Sequence, residues 1–252
     1  MRLDDRHVVV TGAGSGIGRA MALACAREGA RVSCLDLRAT TAAETVALIK
    51  GEDVGDSRAD EVDITEFAAG EAALERAIAA FGPVDALLAN AGGAQGDRVP
   101  FLEMSLETWR TMLDRNLNGA FITGRVFAAH MAERGQGSIV FTTSQSAAVA
   151  VRDLAHYTSA KAGVTQLVRC MAMELAEHGV RVNAVAPGAT LTPGNERQVT
   201  TPESQEFFGR VIPLGRIADP SEIAGAAVYL AGPESTYTTG TTIVIDGGYT
   251  II

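Results

Sequence analysis

Lysine is nearly absent from this chain. Its 252 residues contain two, Lys50 and Lys161, against 19 arginines. Arginine therefore supplies almost all the positive surface charge, and a lysine at a specific spacing points to work that a guanidinium does not do. Cysteine is also scarce. Cys25, Cys34 and Cys170 are odd in number and form no Cys-x-x-Cys pair, which excludes a disulfide scaffold or structural zinc and predicts small buried thiols. The histidines at 7, 130, 156 and 178 lack metal-ligand spacing, so each reads as structural and no metal site is expected. Basic residues are outnumbered, 21 against 30 acidic ones for a net charge of −9, which argues against nucleic acid or an anionic membrane as partner. No long apolar run exists. The longest uncharged stretch, Gly135 to Val151, holds Gln136, Ser138, Thr142, Thr143, Ser144, Gln145 and Ser146 and is too polar to span a bilayer. Acids Asp4 and Asp5 stand where a secretory signal has its apolar segment, so a cytoplasmic location is expected. Neither a Gly-x-Ser-x-Gly elbow nor a glycine-lysine pair occurs, leaving no basis for a serine hydrolase or a Walker A loop.

What is present is a core-forming composition, 47% apolar and 20% charged. No linker or repeat divides the chain, so one domain over 1–252 is expected. Short apolar runs alternate with helical patterns. The runs are His7–Thr11, Arg31–Leu35, one ending at Asp63, Val84–Ala89, Ser138–Thr143, Arg181–Val185 and Thr242–Ile245. Helical periodicity follows His7–Thr11 as far as Gly29 and recurs at 66–81, 105–133, 157–178 and 220–231. Strands apolar on both faces and separated by helices predict a parallel sheet covered on both sides. Such a sheet binds ligands beyond the carboxyl ends of its strands.

The first run ends in Thr11-Gly-Ala-Gly-Ser-Gly-Ile-Gly18. Gly12, Gly16 and Gly18 permit a tight turn and close backbone approach, and with Ser15 and Ile17 they open a helix whose free N–H groups suit a pyrophosphate. Asp36, at the end of the second run, can accept hydrogen bonds from the hydroxyls of an adenosine ribose and would repel a 2′-phosphate. NAD is therefore expected over NADP, with Arg38 nearby as the residue able to moderate that choice.

Tyr157 and Lys161 are spaced to share one helix face. Hydride transfer from a carbinol needs a group that exchanges the hydroxyl proton near neutral pH. A phenol begins near 10, and a cation about 4 Å away is of the right order to bring it to about 7. Ser144, read as the end of the fifth strand, could hold the substrate oxygen beside that phenol. Asn116, inside a helical pattern, could hold a water that relays protons to Lys161.

Taken together, these residues resemble the short-chain dehydrogenase/reductase family over nearly the whole chain. The matching motifs are the glycine loop, Asn90-Ala91-Gly92, Asn116, Ser144, Tyr157-x-x-x-Lys161, Pro187-Gly188 with Thr192, and Asp246-Gly-Gly248. The resemblance implies a three-layer, doubly wound Rossmann-type α/β fold of about seven parallel strands with helices on both faces. It implies a tetrad of Asn116, Ser144, Tyr157 and Lys161, with Tyr157 as general acid/base and Lys161 also binding the nicotinamide ribose. Asp63 and Ile64 would meet the adenine, Asn90 to Gly92 would lie beneath the cofactor, and Pro187, Gly188 and Thr192 would hold its carboxamide end. A homotetramer is implied as well. The sequence departs from the usual pattern at Phe141-Thr-Thr-Ser144 and at Ala89-Asn90.

Substrate contacts are expected from 93–98, 145–156 and a lid at 189–209 with a short helix at 202–209. Gln145 is a candidate polar contact. Arg152 suggests an anionic or polyhydroxylated substrate, with a solvent-facing loop arginine as the alternative. The expected activity is NAD-dependent oxidation of a small polar secondary alcohol, a sugar, polyol or hydroxy acid, or reduction of the matching ketone. The alternatives are an NADP-dependent carbonyl or 3-oxoacyl reductase and a dinucleotide sensor without chemistry.

Overall fold

The computed structural model describes residues 1–94 and 98–251. Seven strands, β1 His7–Thr11, β2 Arg31–Asp36, β3 Ser57–Glu61, β4 Ala86–Ala89, β5 Gly137–Thr142, β6 Val180–Pro187 and β7 Thr242–Ile245, pair in the order β3-β2-β1-β4-β5-β6-β7. Every pairing is parallel. Alternation along the strands separates two cores. Val8, Val10, Val32, Cys34 and Leu88 face helices α1 (Gly16–Arg27), α2 (Ala39–Gly51) and α9 (Pro220–Ala231). Val9, Leu35, Leu87, Ile139 and Phe141 face α3 (Phe67–Phe81), α5 (Gly119–Glu133) and α6 (Ala155–Leu175). This is the parallel sheet covered on both sides that the strand and helix patterns predict, in the doubly wound, three-layer form that the family resemblance implies. Among the described residues no helix is long and apolar enough to cross a membrane.

Several boundaries differ from expectation for identifiable reasons. Two residues of the fourth run, Val84 and Asp85, precede the strand, and the Asp85 carboxylate instead accepts the His7 N–H at 2.9 Å and pairs with Arg134 at 3.1 Å. Edge strand β3 is polar, with Arg58 and Arg76 both bonded to Asp60, so it carries no apolar periodicity and ends two residues before Asp63. Helix α2 escapes the periodicity because Thr45 occupies a core position, where its hydroxyl donates to the Ala13 carbonyl at 2.7 Å. The single helix read over 105–133 is two, α4 (Leu106–Leu113) and α5, joined by a π-helical turn at Asp114–Asn118. Such turns recur at functional sites. Ser144 stands two residues beyond β5 rather than at its end. Cys25 and Cys34 are buried, which pushes both thiols up to about 12, but Cys170 is exposed on α6, correcting the expectation for the third thiol.

Helix α9 begins with a reciprocal cap. Asp219 accepts the Ser221 N–H at 2.8 Å, while Glu222, bonded to Arg216, accepts the Asp219 N–H at 2.8 Å. Removing the first half with Asp219→Ala should cost about 1 kcal/mol, read as a lower urea midpoint with an unchanged slope. An unchanged midpoint would show that the cap contributes nothing to stability.

Candidate active site

The strand order reverses between β1 and β4, and the carboxyl ends of these two strands open the crevice where this fold takes ligands. Thr11, at the end of β1, accepts the N–H groups of Asn90 and Ala91 at 3.1 Å each. The Asn90 amide donates to the Thr11 carbonyl, and its oxygen accepts from Thr142 of β5 at 3.1 Å. Asn90 thereby fixes three strand ends relative to one another.

The glycine loop sits above this tie. Gly12 and Gly16 adopt φ of 65° and 51°, and a Cβ at Gly18 would lie 2.1 Å from the Gly12 carbonyl, so the turn holds only glycine there. Ser15 precedes α1 in extended conformation without a side-chain cap, and the first turn carries no acid. The N–H groups at this helix start are left for an anion. Asp36 closes the far side. Its Oδ2 accepts the Gly14 N–H at 2.9 Å and its Oδ1 accepts the Thr41 hydroxyl at 3.0 Å and the Arg38 N–H at 3.2 Å. Sequence reading missed Gly14 and Thr41 as its partners. Thr192 brings its methyl group against Gly16, where a Cβ would meet it at 3.1 Å, and Gly188 is joined to β7 by its N–H to Ile245 at 2.8 Å. Cradle, uncapped helix and carboxylate together fit a nicotinamide dinucleotide. Asp63 and Ile64 are engaged within the chain: the Asp63 carboxylate holds Thr65 at 2.7 Å, and Ile64 packs on Gly119.

Lys161, 3% exposed, donates from Nζ to the Thr142 carbonyl at 2.8 Å. Burial lowers it to about 8. Its ammonium lies 5.8 Å from the centre of the Tyr157 ring. Burial pushes Tyr157 above its ordinary value, and a hydrogen bond with Ser144 draws it back. Ser144 is well placed for that. Its oxygen accepts both the N–H and the hydroxyl of Ser146, at 3.1 and 2.9 Å, which leaves its own proton to donate outward. The polar run Thr142–Ser146 was the signal for Thr142 and Ser146, which sequence reading left unassigned.

Asn116 is buried in the π-helical turn, beside Lys161 and Gly92: a Cβ on Gly92 would stand 2.8 Å from its oxygen and 3.6 Å from Lys161 Nζ. Its amide is committed, accepting the Gly93 N–H at 2.8 Å and donating to the Gly93 and Met112 carbonyls. The side chain therefore shapes the Gly92–Gly93 turn. Gln145 begins a short helical turn after Ser144, and its Oε1 is buried beside Gly188 without a hydrogen-bond partner. Arg152 is exposed on its turn, the solvent-facing alternative. Of the stretch 93–98, residues 95–97 lie outside the described residues. The stretch expected as a lid contains α7 (Glu196–Val199) and α8 (Pro202–Val211), the latter two residues longer than read, and Asn195 fastens the start of the stretch to Thr192 and Thr190 at 2.9 and 2.8 Å. Among the described residues no group of three or more His, Cys, Asp or Glu could hold a metal.

This arrangement belongs to a class of nucleotide-dependent oxidoreductases. A family profile described as enoyl-(acyl carrier protein) reductase matches residues 12–250. The chain is 40% identical to D-threitol dehydrogenase of Mycolicibacterium smegmatis over 99% of this chain and 95% of that one. It is 38% identical to L-rhamnose 1-dehydrogenase (NAD(P)(+)) of Azotobacter vinelandii over 98% of each. A solved 7α-hydroxysteroid dehydrogenase, complexed with NADH and 7-oxo glycochenodeoxycholic acid, superposes with a TM-score of 0.92 at 35% identity over 98% of this chain and 95% of that one. The chain belongs to the short-chain dehydrogenase/reductase family and is an NAD(P)-dependent alcohol oxidoreductase.

The folded protein releases the Lys161 proton near pH 8, whereas the unfolded chain holds it to 10.5. The cost of the buried charge is thus fully present below pH 8, fades between 8 and 10.5, and is gone above. Relative to Lys161→Met, the natural protein should gain on the order of 3 kcal/mol across that window, measured by urea unfolding at stepped pH. A gap independent of pH would contradict the shift. Direct titration by 15N NMR is straightforward with one other lysine to assign.

Proposed function

We propose that this protein is an NAD-preferring dehydrogenase of a small polyhydroxylated alcohol, a sugar, polyol or hydroxy acid, with Tyr157 as general acid/base. The observation that carries this reading is the grouping of Ser144, Tyr157 and Lys161 beside the glycine loop, with the acceptor side of Ser144 taken by Ser146. When bound, an oxidised nicotinamide dinucleotide supplies a hydride acceptor and a positive charge that favours the phenolate. Gly12, Ser15, Gly16, Ile17 and Gly18 would hold its pyrophosphate, Asp36 its adenosine ribose, Asn90 to Gly92 and Lys161 its nicotinamide half, and Pro187, Gly188 and Thr192 its carboxamide end. Asp63 and Ile64 would border the adenine through backbone and packing.

In oxidation, Ser144 donates to the substrate oxygen and Tyr157 takes the hydroxyl proton. The charge on Lys161, held in place by Thr142, favours the phenolate through space. Gln145 offers an amide to a hydroxyl neighbouring the reacting carbon, and the substrate names of the threitol and rhamnose dehydrogenases support that choice. A family member with a steroid ligand shows that the frame does not restrict size, so the selection is assigned to Gln145 and the lid at 189–209. One sheet shared by two cores supports a single domain over 1–252. Exposed Leu106 and Phe121 on α4 and α5 support the homotetramer, and the acidic, lysine-poor composition is compatible with a cytoplasmic protein.

Tyr157→Phe should lower kcat/KM by about 10²–10⁴-fold on any substrate while NADH still binds, as followed by its fluorescence. Turnover close to the natural rate would remove Tyr157 from the chemistry, and no turnover by the natural protein on any polyol, sugar or hydroxy acid would favour a sensor. Asp36→Asn should narrow the preference for NAD over NADP by about tenfold or more, equivalent to ~1.4 kcal/mol. A natural protein that turns over NADP faster would instead support the carbonyl or 3-oxoacyl reductase, with Arg38 reading the 2′-phosphate.

A further inference from the structure

We propose that a second cleft, at the amino-terminal edge of β5 and β6, binds a small multivalent anion between Arg6 and Arg181. The cleft encloses about 610 Å³ and is lined in part by Arg6, Asp85, Ser138, Arg181, Thr236 and Tyr237. Ser138 and Arg181 lie near the first residues of their strands. Because the sheet is parallel, this end is opposite the one that carries Ser144, Tyr157 and the glycine loop.

Its charge is unbalanced. Arg181 donates to the carbonyls of Leu230, Gly232 and Thr238 at 2.9, 3.2 and 3.4 Å, neutral acceptors at the end of α9 and beyond. Among the described residues Arg6 makes no side-chain hydrogen bond or ion pair, and no carboxylate pairs with either guanidinium. Asp85, the acid in this lining, is already engaged by His7 and Arg134. The two arginines repel each other: burial first, and then the Arg6 charge, hold Arg181 below its ordinary value. A ligand with two or more negative charges relieves that repulsion, and guanidinium donors suit phosphate and carboxylate oxygens equally. The hydroxyls of Thr236 and of the fully exposed Tyr237 can serve the polar remainder of such a ligand. The ligand class is therefore a phosphate ester or a di- or tricarboxylate of metabolite size.

The test is calorimetric titration of the full chain at constant ionic strength, with the glycine loop filled by saturating NADH so that phosphate cannot bind there. The probes are inorganic phosphate, glycerol 3-phosphate and citrate. At least one should bind at one site per chain, phosphate compounds alone identifying a phosphate ester and citrate alone a carboxylate. Arg6→Gln should weaken that binding about tenfold or more and leave the melting temperature of the ligand-free protein unchanged. Arg181→Lys, which keeps a charge and a donor to α9, should weaken it as well. Absence of binding by all three probes, or affinity unaltered in Arg6→Gln, would overturn the proposal. Neither readout depends on turnover, so failure here leaves the dehydrogenase reading untouched.

Discussion

The bond from the Lys161 ammonium to the Thr142 carbonyl places a charge where burial opposes it. A buried ammonium is retained against that cost only when surrounding groups hold it in one place. Here the backbone end of β5 supplies the acceptor, and the Gly92 backbone passes close by because it lacks a side chain. Asn116 then fixes the Gly92–Gly93 turn with its amide. The π-helical turn is what lets Asn116 face inward from a helix whose neighbours contact the core. Removing any of these parts would leave a cation with too much room or too little.

Ser144 and Tyr157 depend on the same construction. The phenol is not acidic by virtue of the lysine alone, because burial acts in the opposite direction. What the chain itself contributes is a directed donor: two bonds from Ser146 saturate the acceptor side of Ser144 and leave its proton for the phenolate or the substrate oxygen. Preorganised donors of this kind act without reorganising at the moment of reaction. Lysine therefore raises the local potential, serine supplies the hydrogen bond, and neither substitutes for the other.

The sheet, most of its helices and the grouping of the candidate site were legible in the sequence because they rest on local patterns. β1, β2, β5 and β6 are apolar on both faces, and the glycine loop and the Tyr157–Lys161 spacing occupy short windows. What escaped was set by pairing across the chain. β3 is polar because an edge strand satisfies only one neighbour, and α2 was hidden by a threonine whose hydroxyl finds a carbonyl 32 residues away. The commitments of Asn116 to Gly93, of Asp36 to Gly14 and Thr41, and of Ser146 to Ser144 are hydrogen bonds, which leave no periodicity. Arg152 is exposed on its turn, the solvent-facing reading that its place in a loop also allowed.

Strand order explains why these distant segments meet. The chain lays β1, β2 and β3 outward in one direction, then returns to place β4 on the other side of β1. Only at that reversal do adjacent strand ends diverge into helices on opposite faces, leaving room above Thr11 and Asn90. On the proposed reading, a ligand spanning the gap would touch segments from both halves: Asp36 and the glycine loop from the first, Ser144, Tyr157 and Lys161 from the second. The tie from Thr11 through Asn90 to Thr142 is therefore the joint between a binding half and a reacting half. Its Asn90 amide bonds to both sides at once, so loosening it would shift the lysine's anchor and the glycine turn together.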